Sequence, residues 1–408
     1  MNLRIISAAV PADSGIRKTY RFIRKYGFLI IYALWFSLEI VLSCSTLEFP
    51  NGMKDILFTK TERILKYALI GYIVFFQRYS RRELLAVIPV SILLYHSARL
   101  SASFALFYTW LLIVGSKSTY FRRIVKLSFI LLLACILCFP ILCRLGILPE
   151  SGVYRDADFR PALGFVHPNS FGVRLFILCA CWFYLRERQL CAWDYVFGIA
   201  AVIFAWAVPN SRTCAFSILS LLILFWIESF LHEGTGLFKR IGIWISVAIV
   251  SVVNFGSVLL SVIYKPDNQI MRILDNALSG RISLAHRVYN DFGISLLGQR
   301  VYITKAERML AGLEDSAIHF DNSYMRILLY WGVIIYILVS AGILVGLIVA
   351  AKKKKTALFI CLFSVLIYSV SEKILYQGTY NVFILALGWL FRSEISCEDK
   401  TGLQENSL

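Results

Sequence analysis

The chain has 408 residues, of which 59% are hydrophobic and 16% charged, with a formal net charge of +17. A water-soluble domain of this size cannot cover so much apolar surface with so little polar surface, so lipid must solvate most of the chain. The positive charge does not point to nucleic acid, because Lys and Arg punctuate the gaps between apolar runs instead of gathering on one face.

At the N-terminus a basic stretch, Arg17 to Lys25, leads into a long apolar segment with no small-residue cleavage site after it. The first helix is therefore expected to remain in the protein. Crossing a bilayer as a helix takes about 20 mostly apolar residues. On that rule the spans fall near 27 to 46, 62 to 77, 83 to 97, 100 to 115, 124 to 143 and 163 to 184. Six more fall near 193 to 209, 213 to 231, 240 to 264, 322 to 350, 356 to 371 and 377 to 391, with the third and fourth readable as one broken pair. The expected fold is all-α: a single polytopic membrane domain over residues 1–408 with about 12 transmembrane helices.

Positive loops stay in the cytoplasm. Starting inside, every second connection is basic: Arg78, Arg81 and Arg82; Lys117, Arg122 and Arg123; Arg186 and Arg188; Lys239 and Arg240; then Lys352 to Lys355. Residues 1–26 and the polar tail 393–408 are then cytoplasmic. On the outer face lie the connection Arg144 to Pro161, the turn Asn210-Ser211-Arg212, and the large extracytoplasmic loop 265–321 between the ninth and tenth spans. That loop carries Leu274, Ile282, Leu284, Val288, Leu296, Leu297 and Leu310 at mixed helical spacing, which predicts one or two short helices over the mouth of the bundle. No internal repeat appears, and the transporter hallmarks of paired repeats and broken midplane helices are not evident. The cysteines sit mostly in apolar runs without zinc-ligand spacing and read as buried small hydrophobes.

The outer segments are rich in arginine against the charge rule: Arg155, Arg160, Arg212, Arg272, Arg281, Arg287, Arg300 and Arg308. Arg174 and Arg326 lie about one turn inside the membrane, where an unpaired charge costs roughly 2.5 to 3.5 kcal/mol. Guanidinium pairs bidentately with phosphate oxygens, so an outer pocket for an anionic headgroup, pyrophosphate foremost, is one economical explanation. The plainer one is contact of Arg272, Arg300 and Arg308 with lipid phosphates. Three polar helix openings share this side: His167-Pro168-Asn169, Ser211-Arg212-Thr213 and His319-Phe320-Asp321-Asn322-Ser323-Tyr324. Free amides at such openings favour an anion, although a lone histidine there is more often a cap than a catalyst. Asp156 and Asp158 form a DxD pattern, common by chance, and no metal or other cofactor is expected. Glu372 and Asn381 flank the last outer turn, where a structural role is favoured.

This set of motifs resembles the Wzy-type polysaccharide polymerases of the O-antigen polymerase and ligase group. The resemblance runs from Arg160-Pro161-Ala162-Leu163-Gly164-Phe165 with His167-Pro168-Asn169, through Ser211-Arg212-Thr213 and Ser279-Gly280-Arg281 with Leu297-Gly298-Gln299, to Asp321-Asn322-Ser323-Tyr324 with Gly332. It implies a GT-C-like, inverting, metal-independent glycosyltransferase of the bacterial cytoplasmic membrane, polymerising repeat units linked to undecaprenyl pyrophosphate. Arg212 and Arg281 would then stabilise the departing lipid pyrophosphate. Arg160, Asn169, Arg287, Asn322 and Tyr324 would bind substrate, and His167 or Asp321 would accept the hydroxyl proton. Ligases of the group carry a histidine where this chain has Asp321, which argues against transfer to lipid A core. The implied partners are undecaprenyl-pyrophosphate-linked glycans, membrane lipid, a chain-length regulator and a flippase. The alternatives are a flippase for the same units, a ligase-type transferase, or a nonenzymatic assembly partner.

Overall fold

The computed structural model describes residues 15–49, 52–155, 158–231, 236–313, 317–318 and 320–390, with backbone alone at 16–17, 230–231 and 236–240. The chain is all-helical, with 74% helix and 3% strand. In order the helices are α1 (Gly15–Leu38, continued by a π-turn Glu39–Cys44), α2 (Met53–Phe75), α3 (Arg81–Ser101), α4 (Ala105–Ser116) and α5 (Phe121–Arg144). A hairpin of β1 (Gly152–Arg155) and β2 (Asp158–Pro161) precedes α6 (Pro168–Arg186), α7 (Ala192–Ala207), α8 (Arg212–Leu231) and α9 (Gly236–Ile263). Three short helices follow, α10 (Gln269–Ala277), α11 (Arg281–Phe292) and α12 (Lys305–Leu310). The chain then enters α13 (Ser323–Lys352), α14 (Thr356–Tyr368), a 3-10 turn (Val382–Leu385) and α15 (Ala386–Leu390).

Seven of these, α1, α3, α5, α6, α8, α9 and α13, contain stretches long and apolar enough to cross a membrane. A helix satisfies its backbone within itself, as any lipid-facing segment must. Large apolar side chains point outward around the bundle, Val252, Ile64, Ile203 and Phe216 among them, which suits a lipid solvent and no aqueous one. The most enclosed long helix is α6, 72% buried over its apolar window. Each apolar run read from the sequence contains helix, and the third and fourth are separate helices. The last run is a 3-10 turn and a short helix starting at Val382, later than the expected 377. The expected tail 393–408 lies outside the described residues.

Side-chain ties define the two ends of the bundle. At one end Lys117 pairs with Glu83 at 2.7 Å, Arg186 with Asp194 at 2.7 Å, and Lys353 Nζ donates to the Leu390 carbonyl at 2.8 Å. At the other end lie the hairpin, the start of α6, the α7–α8 turn and the start of α13. The loop 265–321 differs from expectation in holding three short helices. Among them α10 turns Ile270, Ile273 and Leu274 outward.

One feature overturns a sequence expectation. Helix α13 is broken at Gly332, whose φ of 85° is left-handed. The freed backbone groups are taken up by an incoming loop: Val333 N–H donates to Ser295 O at 3.0 Å, Ile334 N–H to Leu296 O at 3.2 Å, and Gln299 N–H to Tyr330 O at 3.0 Å. A Cβ at Gly332 would lie 2.6 Å from both Gly298 N and Leu296 O. Broken membrane helices persist where protein fills the break, and here the Leu297-Gly298-Gln299 motif and Gly332 are two halves of one such joint.

Candidate functional site

The hairpin places the first arginine. Glu150 Oε1 accepts the N–H groups of Ala162 and Leu163, both at 3.1 Å, and Leu163 and Gly164 adopt successive positive φ angles of 55° and 78°. This tight turn lets Phe165 pair with Ser45 beyond α1. It leaves Arg160, only 3% exposed, pointing across the bundle. Its Nε donates to Pro209 O at 3.0 Å and its Nη2 to Asn169 Oδ1 at 2.9 Å. Asn169 Nδ2 in turn donates to Glu372 Oε1 at 3.1 Å, and the same oxygen meets Arg281 Nη2 at 3.4 Å. Asn169 and Arg281, remote from each other in sequence, thus meet on one carboxyl group, with Arg160 joined to it through Asn169.

Arg281 opens α11 and is fixed twice more, Nε to Ser371 O at 2.9 Å and Nη1 to Leu278 O at 3.1 Å. The Glu372 turn is clamped from α13: Ser323 Oγ donates to Glu372 O at 2.6 Å and accepts from Leu375 N–H at 3.2 Å, while Ser323 N–H donates to Ser369 O at 2.9 Å. Arg212, at the start of α8, is exposed, lies over the Trp206 ring at 5.9 Å, and makes no ion pair among the described residues.

The electrostatics are those of several guanidinium groups around a reluctant carboxylate. Burial first, then the positive charges of Arg155, Arg212 and Arg281, lower Arg160 to about 10 against the opposing pull of Glu372. It stays charged at neutral pH. Burial first, then repulsion from Asp321, raises Glu372 to about 8 against Arg281, Lys373 and Arg160. Burial thus favours the neutral carboxyl, while Oε1 accepts from Asn169 and Arg281. A neutral Glu372 removes the repulsion that a carboxylate would present to an incoming anion.

The expected site residues divide into two groups. Arg160, Asn169 and Arg281 are joined in one chain, and Arg212 and Asp321 act electrostatically on it. Asp321 is half-buried, and its carboxylate makes no hydrogen bond among the described residues. The others hold the frame. His167 caps α6, its Nδ1 accepting the Asn169 N–H at 3.0 Å. That role puts the ring proton on Nε2 and leaves no lone pair for a substrate hydroxyl. Asn322 caps α13 through the N–H groups of Tyr324 and Met325 at 2.9 and 3.1 Å. Tyr324 is buried and donates to Leu366 O at 2.8 Å. Arg287 lies half-buried farther along α11.

Several other expectations change. Arg308 is fully buried and paired with Asp291 at 2.8 Å, so it touches no lipid phosphate. Arg272 and Arg300 are exposed, the latter over Tyr302 at 5.4 Å. Arg174 and Arg326 find carbonyls and aromatic faces: Arg174 donates to Ser170 O at 2.8 Å and lies over Tyr380 at 4.2 Å, and Arg326 donates to Phe320 O at 3.2 Å between Phe320 and Tyr330. Asp156 of the DxD pattern and His319 lie outside the described residues. Glu372, read from sequence as structural, is the group on which Asn169 and Arg281 meet. The signal that marks it is an acidic residue in a short turn between apolar runs, where burial is costly without a purpose. No family model, curated protein or solved structure matches the chain.

Proposed function

We propose that the chain is a membrane glycosyltransferase of the Wzy type, polymerising undecaprenyl-pyrophosphate-linked repeat units on the outer face of the bacterial cytoplasmic membrane. In this reading the helices form a GT-C-like bundle of twelve spans with both termini cytoplasmic. The observation that carries it is the joining of Arg160 and Arg281 through Asn169 and Glu372, with exposed Arg212 beside them, at the end of the bundle opposite the basic loops.

The chemistry asks for what this pocket holds. A hydroxyl of one lipid-linked unit attacks the anomeric carbon of the glycan on another; the bond from that carbon to the pyrophosphate oxygen breaks, and the lipid pyrophosphate leaves. Arg212 at the mouth and Arg281 deeper in grip the diphosphate and stabilise the charge that develops on it. Arg160, Asn169 and Glu372 position Arg281. Asp321, whose oxygens make no hydrogen bond among the described residues, takes the hydroxyl proton, a task for which the capped His167 has no lone pair to offer.

The break in α13 is the one observation that favours a flippase. The joint is filled by backbone at Gly298 and Leu296, which leaves no space there for a headgroup. Mass spectrometry of lipid-linked glycans in cells lacking the chain separates the readings: units stalled at one repeat on the outer leaflet support the polymerase. Units held on the inner leaflet support the flippase, and normal long chains exclude both.

A further inference from the structure

Helices α3, α4, α13 and α15 surround a cavity of about 860 Å³ that runs from the basic end inward to Leu375, three residues beyond Glu372. Its walls are aliphatic, with Val87, Val90, Leu106, Ile113, Val339 and Ile343 among them, and its mouth is ringed by Tyr79, Ser80, Arg81, Arg82, Glu83 and Lys117. From Arg81 to Leu94, the extent of its wall on α3, the helical rise amounts to roughly 20 Å. Half of a bilayer's hydrocarbon core is about 15 Å. The cavity is thus about as deep as one leaflet and carries its polar rim at one end.

The charges at the rim do not cancel. Lys117 and Glu83 neutralise each other at 2.7 Å, and Glu83 is further held by the Ser80 cap of α3. Arg81 and Arg82 are exposed and make no ion pair among the described residues, which leaves two positive charges beside the free amides of a helix start. Basic pockets between membrane helices take lipid headgroups that carry phosphate. The void is also open from within: a Cβ at Gly342, which lines it, would meet no atom within 4 Å. Glycine weakens a helix interior relative to alanine, and at Gly342 its effect is to leave the cavity unfilled.

We propose that this cavity holds one acyl chain of an anionic glycerophospholipid from the facing leaflet, its phosphate on Arg81 and Arg82. The occupant is a glycerophospholipid because the depth fits a single leaflet, whereas a long polyprenyl chain would overrun a wall that extends only from Arg81 to Leu94. The proposal needs no catalytic role for the chain and stands whatever the opposite end does.

The test is native mass spectrometry of the purified full chain titrated with phosphatidylglycerol, phosphatidylcholine or a polyprenyl phosphate. One phosphatidylglycerol is expected to stay bound at detergent levels that strip phosphatidylcholine. Retention should fall at least fivefold in Gly342→Phe, which fills the void, and in Arg81→Gln with Arg82→Gln, which discharges an exposed rim without touching the fold. Equal retention of phosphatidylcholine, tighter retention of the polyprenyl phosphate, or unchanged binding in the rim variant would each overturn the proposal.

Discussion

Arg212 and Arg160 differ in what their removal costs. Arg212 is exposed and makes no ion pair among the described residues, so Arg212→Ala should leave thermal stability within about 0.5 kcal/mol of the parent while slowing transfer by about 100-fold or more, the loss typical of one transition-state anion contact. Arg160 is buried, and Arg160→Ala strands Pro209 O and Asn169 Oδ1, each unsatisfied group costing about 1 to 3 kcal/mol. Denaturation in detergent together with repeat-unit counting separates the two effects. Glu372 adds a pH signature. Its folded pKa of about 8 exceeds its ordinary 4.5, so the folded state holds an extra proton between those values, and stability falls as pH rises through that window. Ionisation above about 8 also places a negative charge beside Arg281, where the proposed function puts the diphosphate. Affinity for a lipid pyrophosphate should therefore weaken as pH passes 8, and Glu372→Gln should flatten that dependence while leaving tight binding at low pH. A pH profile with the same slope in both proteins would show that another group titrates.

At the scale of elements, the joint between α13 and the 295–299 loop and the clamp on the Glu372 turn make the site depend on distant packing. Gly332→Ala combines a positive φ with a Cβ 2.6 Å from backbone atoms, and should cost more than the ordinary 1 to 3 kcal/mol of overpacking. Gly342→Ala, in open space on the same helix, should stabilise by up to about 1 kcal/mol. Melting temperatures of the pair in one detergent give the comparison, and equal melting would mean that the break at Gly332 is not needed. The caps behave differently from the catalytic candidates next to them. Asn322→Ala should cost about 1 kcal/mol through the lost cap, whereas Asp321→Asn should leave stability unchanged and reduce transfer.

Across the whole molecule, the helices were legible because lipid forces long apolar runs and basic punctuation onto the sequence, as Arg78 to Arg82 and Lys352 to Lys355 show. The convergence of Arg160, Asn169 and Arg281 was legible because motifs in connections on one side have only one end of the bundle to share. Glu372 was not, since nothing local to Ser371-Glu372-Lys373 tells which of several arginines its carboxyl will face. The break at Gly332 was hidden for a similar reason: its backbone partners come from a loop more than thirty residues away, and a glycine in an apolar helix looks alike whether it bends the chain or leaves room. His167 and Asn322 carried the right residue types for chemistry and turned out to cap helices, a role equally encoded by those residues at those positions.

The grip of several guanidinium groups on one diphosphate is what the functional reading depends on. Binding of undecaprenyl pyrophosphate to the purified chain, compared with Arg281→Ala and Arg212→Ala at equal folded abundance, measures it. Each variant is expected to bind at least tenfold more weakly, about 1.4 kcal/mol, with undecaprenol bound no differently. Parental affinity in both variants would mean that the diphosphate is held elsewhere.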